Sequence, residues 1–243
     1  MGVFHFKKFD VVNERSAMKV NTDGVLLGAS MSIDPTDRRF LDVGTGTGTI
    51  ALMAAQRAEA MGNEFNIQAI DIDKVSVEEA GVNFLNSPWG SRLAALECSL
   101  EDFSTRLGEA ESFDLIFSNP PYFEDSLLAP EQRRSNARHT STGLSYRELL
   151  EFASKYLSDN GRISIVLPAE QEQPLCRYAR MCGLSLFRIV RVKTVPRKNP
   201  VRIIAEFSRT RCSQAEEVLL TIQNEGKYTE EYLSLTHDFY LFA

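Results

Sequence analysis

The chain has 243 residues, 43% of them hydrophobic, and a formal net charge of −6. That length suits one large domain with a real core, and no apolar run reaches the roughly 18 residues a membrane helix needs. The acidic balance excludes an indiscriminate nucleic-acid binder, and the N-terminus MGVFHFKKFD lacks a signal-peptide pattern, so a cytoplasmic protein is expected.

From Arg39 onward short apolar runs alternate with helical patterns, which predicts an α/β fold with a mostly parallel sheet covered by helices. RFLDV (39–43) reads as the first strand. TIALMAAQRAEAM is the helix behind it, closed by Gly62. NIQAIDI (66–72) is a second strand, and KVSVEEAGVNFLN a second helix stopped by Ser87-Pro88. RLAALE (92–97) is a weaker strand and FDLIFS (113–118) the clearest one. The segment 124–142, with Arg133, Arg134, Arg138 and His139, is the longest loop candidate and reads as a lid or substrate loop. SYRELLEFASKYL (145–157) places Leu149, Phe152, Ala153, Tyr156 and Leu157 on one helical face, and Asn160-Gly161 is expected to end it. RISIVLP (162–168) is a buried strand, and a helix near 170–182 ends at Gly183. SLFRIVRVKTV and PVRIIAEFS flank Pro196–Pro200 as a closing hairpin. EEVLLTIQ adds an edge strand, and YTEEYLSL a last short helix.

Between Arg177 and Arg211 there are ten basic residues and one acid, Glu206, so this window carries +9 while the rest carries −15. Such segregation is either a solvated basic face or a contact for a polyanion. Cys98, Cys176, Cys182 and Cys212 have no metal-like spacing and read as reduced cysteines. His5, His139 and His237 are too scattered for a metal site, so no metal is expected.

The first strand runs into LDVGTGTGTIAL, with glycines at 44, 46 and 48 between strand and helix. Lacking Cβ, they let the chain turn sharply and let a ligand approach the main chain. The spacing is GxGxG rather than the dinucleotide pattern GxGxxG. Asp42 just before the turn would repel a pyrophosphate, so a cationic cofactor suits it better. Asp71, in AIDID, follows the glycines by about 20 residues, where an acid accepts both ribose hydroxyls. Asp73 directly precedes KVSVEEA and is expected to cap that helix instead.

FDLIFS runs into Asn119, Pro120, Pro121, Tyr122 and Phe123. The strand should lie beside the first one, so Asn119 should project at the reactive end of the ligand site. The prolines fix φ and donate nothing, leaving a cluster of acceptors made by the Asn119 side-chain oxygen and the Pro120 carbonyl. Two such acceptors suit a planar NH2 group, with Tyr122 and Phe123 stacking on the ring or amide that bears it. Held so, the nitrogen lone pair is localised and can attack an electrophilic methyl without a strong base.

LDVGTGTG, AIDID and SNPPY, in this order, resemble the class I S-adenosylmethionine-dependent methyltransferases that act on amino groups. FHFKKFDVVNERSAMKVNTDGVLLGAS, NFLNSPWGSRL, ARHTST and YTEEYLSLTHDFYLF are similar to segments of the bacterial tRNA(Val) adenine-N6 methyltransferase family. The resemblance covers nearly the whole chain. It implies a Rossmann-like fold with a seven-stranded sheet, and a single domain 1–243 with an N-terminal segment 1–38, a core 39–209 and an extension 210–243. It implies S-adenosyl-L-methionine held by Lys19, Thr22, Asp42, Gly44, Gly46, Gly48, Asp71, Ile72, Ser99 and Leu100. It implies catalysis by Asn119, Pro120 and Tyr122. Asp23 either joins the cofactor wall or caps the helix GVLLGAS. Where relatives carry an acid beside the cofactor adenine, this chain reads CSLEDF, which leaves Ser99, Glu101 and Asp102 as candidates.

The implied partner is a tRNA anticodon stem-loop whose adenine swings out of the loop stack, met by a monomer or weak dimer. Pro121, Phe123, Arg133, Arg138, Arg197 and Lys198 are the expected substrate contacts. Arg188, Arg191, Lys193 and Arg202 belong to the same basic stretch. The tail aromatics Tyr228, Tyr232, Phe239, Tyr240 and Phe242 are expected to pack. The alternatives are a glutamine-amide methyltransferase acting on a release factor, another amino-group methyltransferase, and a non-catalytic RNA-binding module. A helical domain before the glycine turn is usual in the first of these and finds no room ahead of Gly44.

Overall fold

In the computed structural model the described residues are 2–16, 18–108, 110–121 and 144–242. The chain opens with β1 (Val3–His5) and β2 (Asp10–Val12), an antiparallel hairpin too short to announce itself by periodicity. Next come α1 (Thr22–Ser30), β3 (Arg39–Val43), α2 (Thr49–Ala60), β4 (Asn66–Asp71), α3 (Lys74–Leu85), β5 (Leu93–Glu97), α4 (Leu100–Arg106) and β6 (Phe113–Ser118). Beyond residues 122–143 lie α5 (Tyr146–Tyr156), β7 (Leu157–Pro168), α6 (Glu172–Met181), β8 (Ser185–Lys193), β9 (Arg202–Ser208) and β10 (Glu216–Thr221). A small hairpin of β11 (Gln223–Asn224) and β12 (Lys227–Tyr228) leads into α7 (Glu230–Thr236).

The main sheet has eight strands in the order β10-β8-β9-β7-β6-β3-β4-β5. β9 runs antiparallel to both β7 and β8, and the other pairings are parallel. The expected Rossmann-like sheet is therefore present, with eight strands in place of the seven expected, because EEVLLTIQ extends it at one edge by pairing with β8. β3 lies between β4 and β6, so the chain order reverses direction there. Ligands of open α/β sheets collect at the carboxyl ends of strands at such a point.

Period-two alternation divides the sheet's side chains between two cores. Phe40, Leu115, Phe117, Val166 and Ile204 face α1, α2, α3 and α7. Leu41, Val43, Ile116, Ile165 and Ile203 face α4, α5 and α6. Each fully buried side chain of this kind contributes about 1.5–3 kcal/mol, so both helical layers are firmly attached.

One boundary differs from expectation. β7 begins at Leu157 and passes straight through Asn160-Gly161, the expected stop of the preceding helix, so it starts five residues before the expected Arg162. The register with β6 shifts between Phe113 and Leu115, and a Cβ on Gly161 would lie 2.6 Å from the Phe113 carbonyl oxygen. The glycine is there because the neighbouring backbone comes too close for any side chain.

Candidate active site

The glycine turn is built by its backbone. Gly44, Gly46 and Gly48 have φ of 74°, 55° and 80°, the left-handed region that other residues resist. The N–H groups of Gly44 and Thr45 donate to the Ile70 carbonyl at 2.9 and 3.0 Å, which ties the turn to β4. The Asp71 carboxylate then accepts the Gly46 N–H at 2.8 Å on one oxygen and the Asp73 N–H at 2.9 Å on the other. Asp73 caps α3 as expected, accepting from Ser76 N at 3.0 Å. Gly48 caps α2, and a Cβ there would lie 2.4 Å from the Phe84 ring. Its role is close packing of the turn on α3.

A cavity of about 590 Å³ opens above this turn. Of the residues singled out from the sequence, Lys19, Gly44, Gly46, Asp71, Ile72, Ser99, Leu100, Asn119 and Pro121 line it. Thr22, Asp42, Gly48 and Pro120 are absent from that lining. Thr22 is exposed at the start of α1 and Pro120 is buried behind the wall. Tyr122, Phe123, Arg133, Arg134, Arg138 and His139 lie outside the described residues.

Asp42 departs most from its expected role. It is fully buried beneath the turn, where one carboxylate oxygen accepts from the Thr45 hydroxyl at 2.7 Å and the other has no partner among the described residues. Burial pushes its carboxyl up to about 7, opposed by the Thr45 hydrogen bond and reinforced by the charge of Asp71. Its alternation on β3 points it under α2 with Phe40, so it stiffens the turn and does not face a ligand directly. The sign of its titration follows. The folded state holds this proton more tightly than the unfolded chain, so Asp42 should make stability fall as pH rises from about 4 to about 7. Asp42→Asn should flatten that part of the stability–pH curve, and denaturant midpoints across the window check it.

The sheet brings Asn119 to the same cavity. Ser118, fully buried, donates its hydroxyl to the Val43 carbonyl at 2.7 Å and staples the end of β6 to the end of β3. The next residue must therefore emerge beside the glycine turn. Ser99 caps α4, accepting from Asp102 N at 3.0 Å and donating to the Asp102 carboxylate at 2.9 Å. Asp102 is occupied by that cap, which leaves Glu101 as the acid of CSLEDF on the cavity wall.

Several wall residues were not singled out. Asn21 caps α1, accepting from Gly24 N at 2.9 Å, in the place considered for Asp23. Asp23 instead pairs with Arg202 at 2.8 Å. Glu148 completes a capping box with Ser145 at the start of α5 and also reaches the wall. Both caps carry sequence signals, an Asn before an apolar helix and Ser-x-x-Glu, but neither signal says which way the cap faces.

The basic window is largely used internally. Arg188 pairs with the buried Glu206 at 2.7 Å, and Arg191 pairs with Glu172 and Glu217 at 2.6 and 2.7 Å. With Arg202 on Asp23, three of the cations expected to meet phosphates are committed to carboxylates of this chain. Arg197 and Lys198 remain exposed in the turn between β8 and β9. Because β8 runs parallel to β7 and β6, that turn lies at the carboxyl edge of the sheet, the edge that holds the cavity. In the tail, Tyr232, Phe239 and Tyr240 are buried and Tyr240 stacks on Phe6, while Tyr228 and Phe242 stack on each other with exposed outer faces.

The residues present fit a nucleoside-containing cofactor. Bare backbone at Gly44 and Gly46, the Asp71 carboxylate, and an apolar wall of Ile70, Ile72, Cys98 and Leu100 share one cavity. Fold and site together define a class I methyltransferase, the class that uses S-adenosyl-L-methionine, with an Asn-Pro-Pro sequence where β6 ends at the cavity. Comparison with known proteins agrees. Residues 15–181 match the methyltransferase small domain family. The tRNA1(Val) (adenine(37)-N6)-methyltransferase of Parabacteroides distasonis is 44% identical, over 98% of this chain and 97% of its own length. That of Bacteroides fragilis is 41% identical over 98% and 97%. The crystal structure of a predicted O-methyltransferase from Agrobacterium tumefaciens superimposes with a TM-score of 0.61 at 19% identity, over 88% of this chain and 95% of the other, which supports the fold alone. The chain belongs to the methyltransferase small domain family and, within it, to the family of the tRNA1(Val) (adenine(37)-N6)-methyltransferases.

Proposed function

We propose that this protein methylates the exocyclic N6 amino group of an adenine in tRNA, adenine 37 of tRNA1(Val), with S-adenosyl-L-methionine as methyl donor. The observation that carries this reading is Asn119 on the wall of the same cavity as the glycine turn and Asp71. Near-full-length relatives named for that reaction support the choice of substrate.

When bound, the cofactor supplies an electrophilic methyl group. The chain's own residues do the rest. Asp71 accepts the ribose hydroxyls, Gly44 and Gly46 allow close approach to the main chain, and Glu101 accepts the amino group of the cofactor adenine. The Asn119 side-chain oxygen and the Pro120 carbonyl accept the two hydrogens of the target amine. An aromatic amine is a poor nucleophile because its lone pair is delocalised into the ring. Two acceptors on its hydrogens draw the nitrogen towards tetrahedral geometry and localise that lone pair. The rest is positioning. Tyr122 and Phe123 join this reading as stacking partners through the sequence alone.

The substrate base must leave the anticodon-loop stack to reach such a cavity. Arg197 and Lys198, on the same sheet edge, follow the loop phosphates in this reading. Neutralising both to Ala should raise the KM for tRNA by roughly tenfold and lower the salt slope of binding by about one to two units. Titrations at several salt concentrations check this, and an unchanged slope places the RNA elsewhere. The function itself is tested by incubating the protein with labelled S-adenosylmethionine and bulk tRNA from a strain deleted for the enzyme. Label recovered as N6-methyladenosine supports the proposal. A parallel incubation with release factor that puts label in its glutamine while the tRNA stays unlabelled, or cofactor binding with no transfer to either, overturns it.

A further inference from the structure

Between β2 and α1 the described residues form no helix or strand, yet this strap brings Met18, Lys19, Val20 and Asn21 to the cavity wall. A segment without its own ladder must be held by something else. What holds it is one face of α3. The Glu79 carboxylate, only 4% exposed, accepts three successive backbone N–H groups, from Glu14 at 2.8 Å, Arg15 at 2.7 Å and Ser16 at 2.8 Å. One turn along, Asn83, 1% exposed, accepts from Val12 N at 2.8 Å and donates to the Val12 and Thr47 carbonyls, each at 2.9 Å. Thr47 belongs to the glycine turn, so a single amide ties the end of β2, where the strap begins, to the turn. At the head of α3 the Ser76 hydroxyl meets the Ser16 hydroxyl at 2.8 Å, and Ser76 itself lines the cavity.

The strap carries the signal one step further. The Lys19 ammonium donates to the carbonyls of Asn13 and Glu14. Those carbonyls belong to the same two peptide groups whose N–H atoms, on Glu14 and Arg15, Glu79 accepts. Two peptide dipoles thus stand in line between a buried carboxylate and an ammonium at the cavity wall. Charge at both ends polarises each peptide group and strengthens both hydrogen bonds.

We infer that Glu79 is a positioning residue for the cofactor: acting through these peptide groups, and with Asn83, it fixes Lys19 and the strap against the glycine turn. The wall of the cavity is then formed before the cofactor arrives, and binding does not have to order it. This rests on the reading of the cavity as the cofactor site. Asn119 and Pro120 follow β6, whose end is anchored on β3 through the Ser118 hydroxyl and the Val43 carbonyl, so the chemical step should be insensitive to the latch once the site is full.

Glu79→Gln, Lys19→Met and the double variant test it, with S-adenosylhomocysteine as the calorimetric probe. E79Q keeps the shape but puts an amide donor against backbone donors. It should weaken S-adenosylhomocysteine binding, and raise the cofactor KM, by about tenfold or more. The kcat at saturating cofactor should change by less than about twofold, the signature of lost binding rather than lost chemistry. The amides of Glu14, Arg15 and Ser16 should exchange faster in E79Q. The double variant should bind about as weakly as the worse single one, because both residues act on one element. Should E79Q not fold, K19M on the exposed strap carries the test, with weaker binding and faster exchange of the same amides. Wild-type protein that fails to bind S-adenosylhomocysteine removes the cavity reading and this inference with it. Wild-type binding with unchanged E79Q affinity, additive variants, or a fall in kcat at constant KM removes this inference alone.

Discussion

Asn119→Ala should reduce turnover by at least about 10²–10³-fold, the range measured when one preorganised polar contact to a developing charge is removed. Cofactor affinity should stay nearly intact. The position explains both halves. Asn119 follows Ser118, whose hydroxyl is already anchored on the Val43 carbonyl, so truncating the next side chain leaves the end of β6 in place. In the proposed mechanism the loss is then an acceptor for the target amine at the end of β6. In that mechanism the Pro120 carbonyl alone cannot hold both hydrogens, and the lone pair stays in the ring. Single-turnover rates with saturating cofactor and RNA, beside the dissociation constant for S-adenosylhomocysteine, decide the matter. Cofactor affinity lost along with turnover would mean that Asn119 is a structural residue of the strand end.

Asp71→Ala should act on the opposite half of the cavity. Its carboxylate already receives the Gly46 and Asp73 N–H groups, and it faces the cavity with capacity for ribose hydroxyls. Charge-assisted hydrogen bonds contribute about 1.5–3 kcal/mol each, so losing two hydroxyl contacts should weaken cofactor binding by about 10²-fold or more. The glycine turn should loosen as well, because Gly46 loses its acceptor. With cofactor raised to saturation, kcat should approach the wild-type value, since the groups proposed to grip the amine follow β6 and not β4. A dissociation constant equal to that of wild type would remove Asp71 from the site. Together the two variants separate binding from chemistry along one cavity.

Much of this site was legible because its parts are local. A strand that stops on Asn-Pro-Pro, a glycine turn between strand and helix, and an acid at the end of the next strand each lie within a few residues of chain. Their order matches a sheet whose first and fourth core strands are neighbours, as β3 and β6 are. What escaped were pairings between distant segments. Arg188 and Arg202 read as free cations in a basic run, but their carboxylates sit at Glu206 and, 179 residues away, at Asp23. Asp42 read as a ligand-facing acid because no local pattern says which side of a two-sided strand is covered by a helix. Glu79 and Asn83 read as ordinary helix residues because their partners lie 63–71 residues earlier.

By itself the sequence determined the fold class and the local motifs that line the cavity. Apolar periodicity depends on near neighbours, and the special backbone of glycine and proline is a property of the residue and its immediate surroundings. Only the tertiary structure decided which charged groups face a ligand and which are bound inside the protein. That choice depends on burial and on partners brought together by folding, since a carboxylate excluded from water must be met by donors the packing delivers. Asp71, at a strand end in the cavity, and Asp42, fully buried beneath the same glycines, are the same residue type on neighbouring strands with opposite fates.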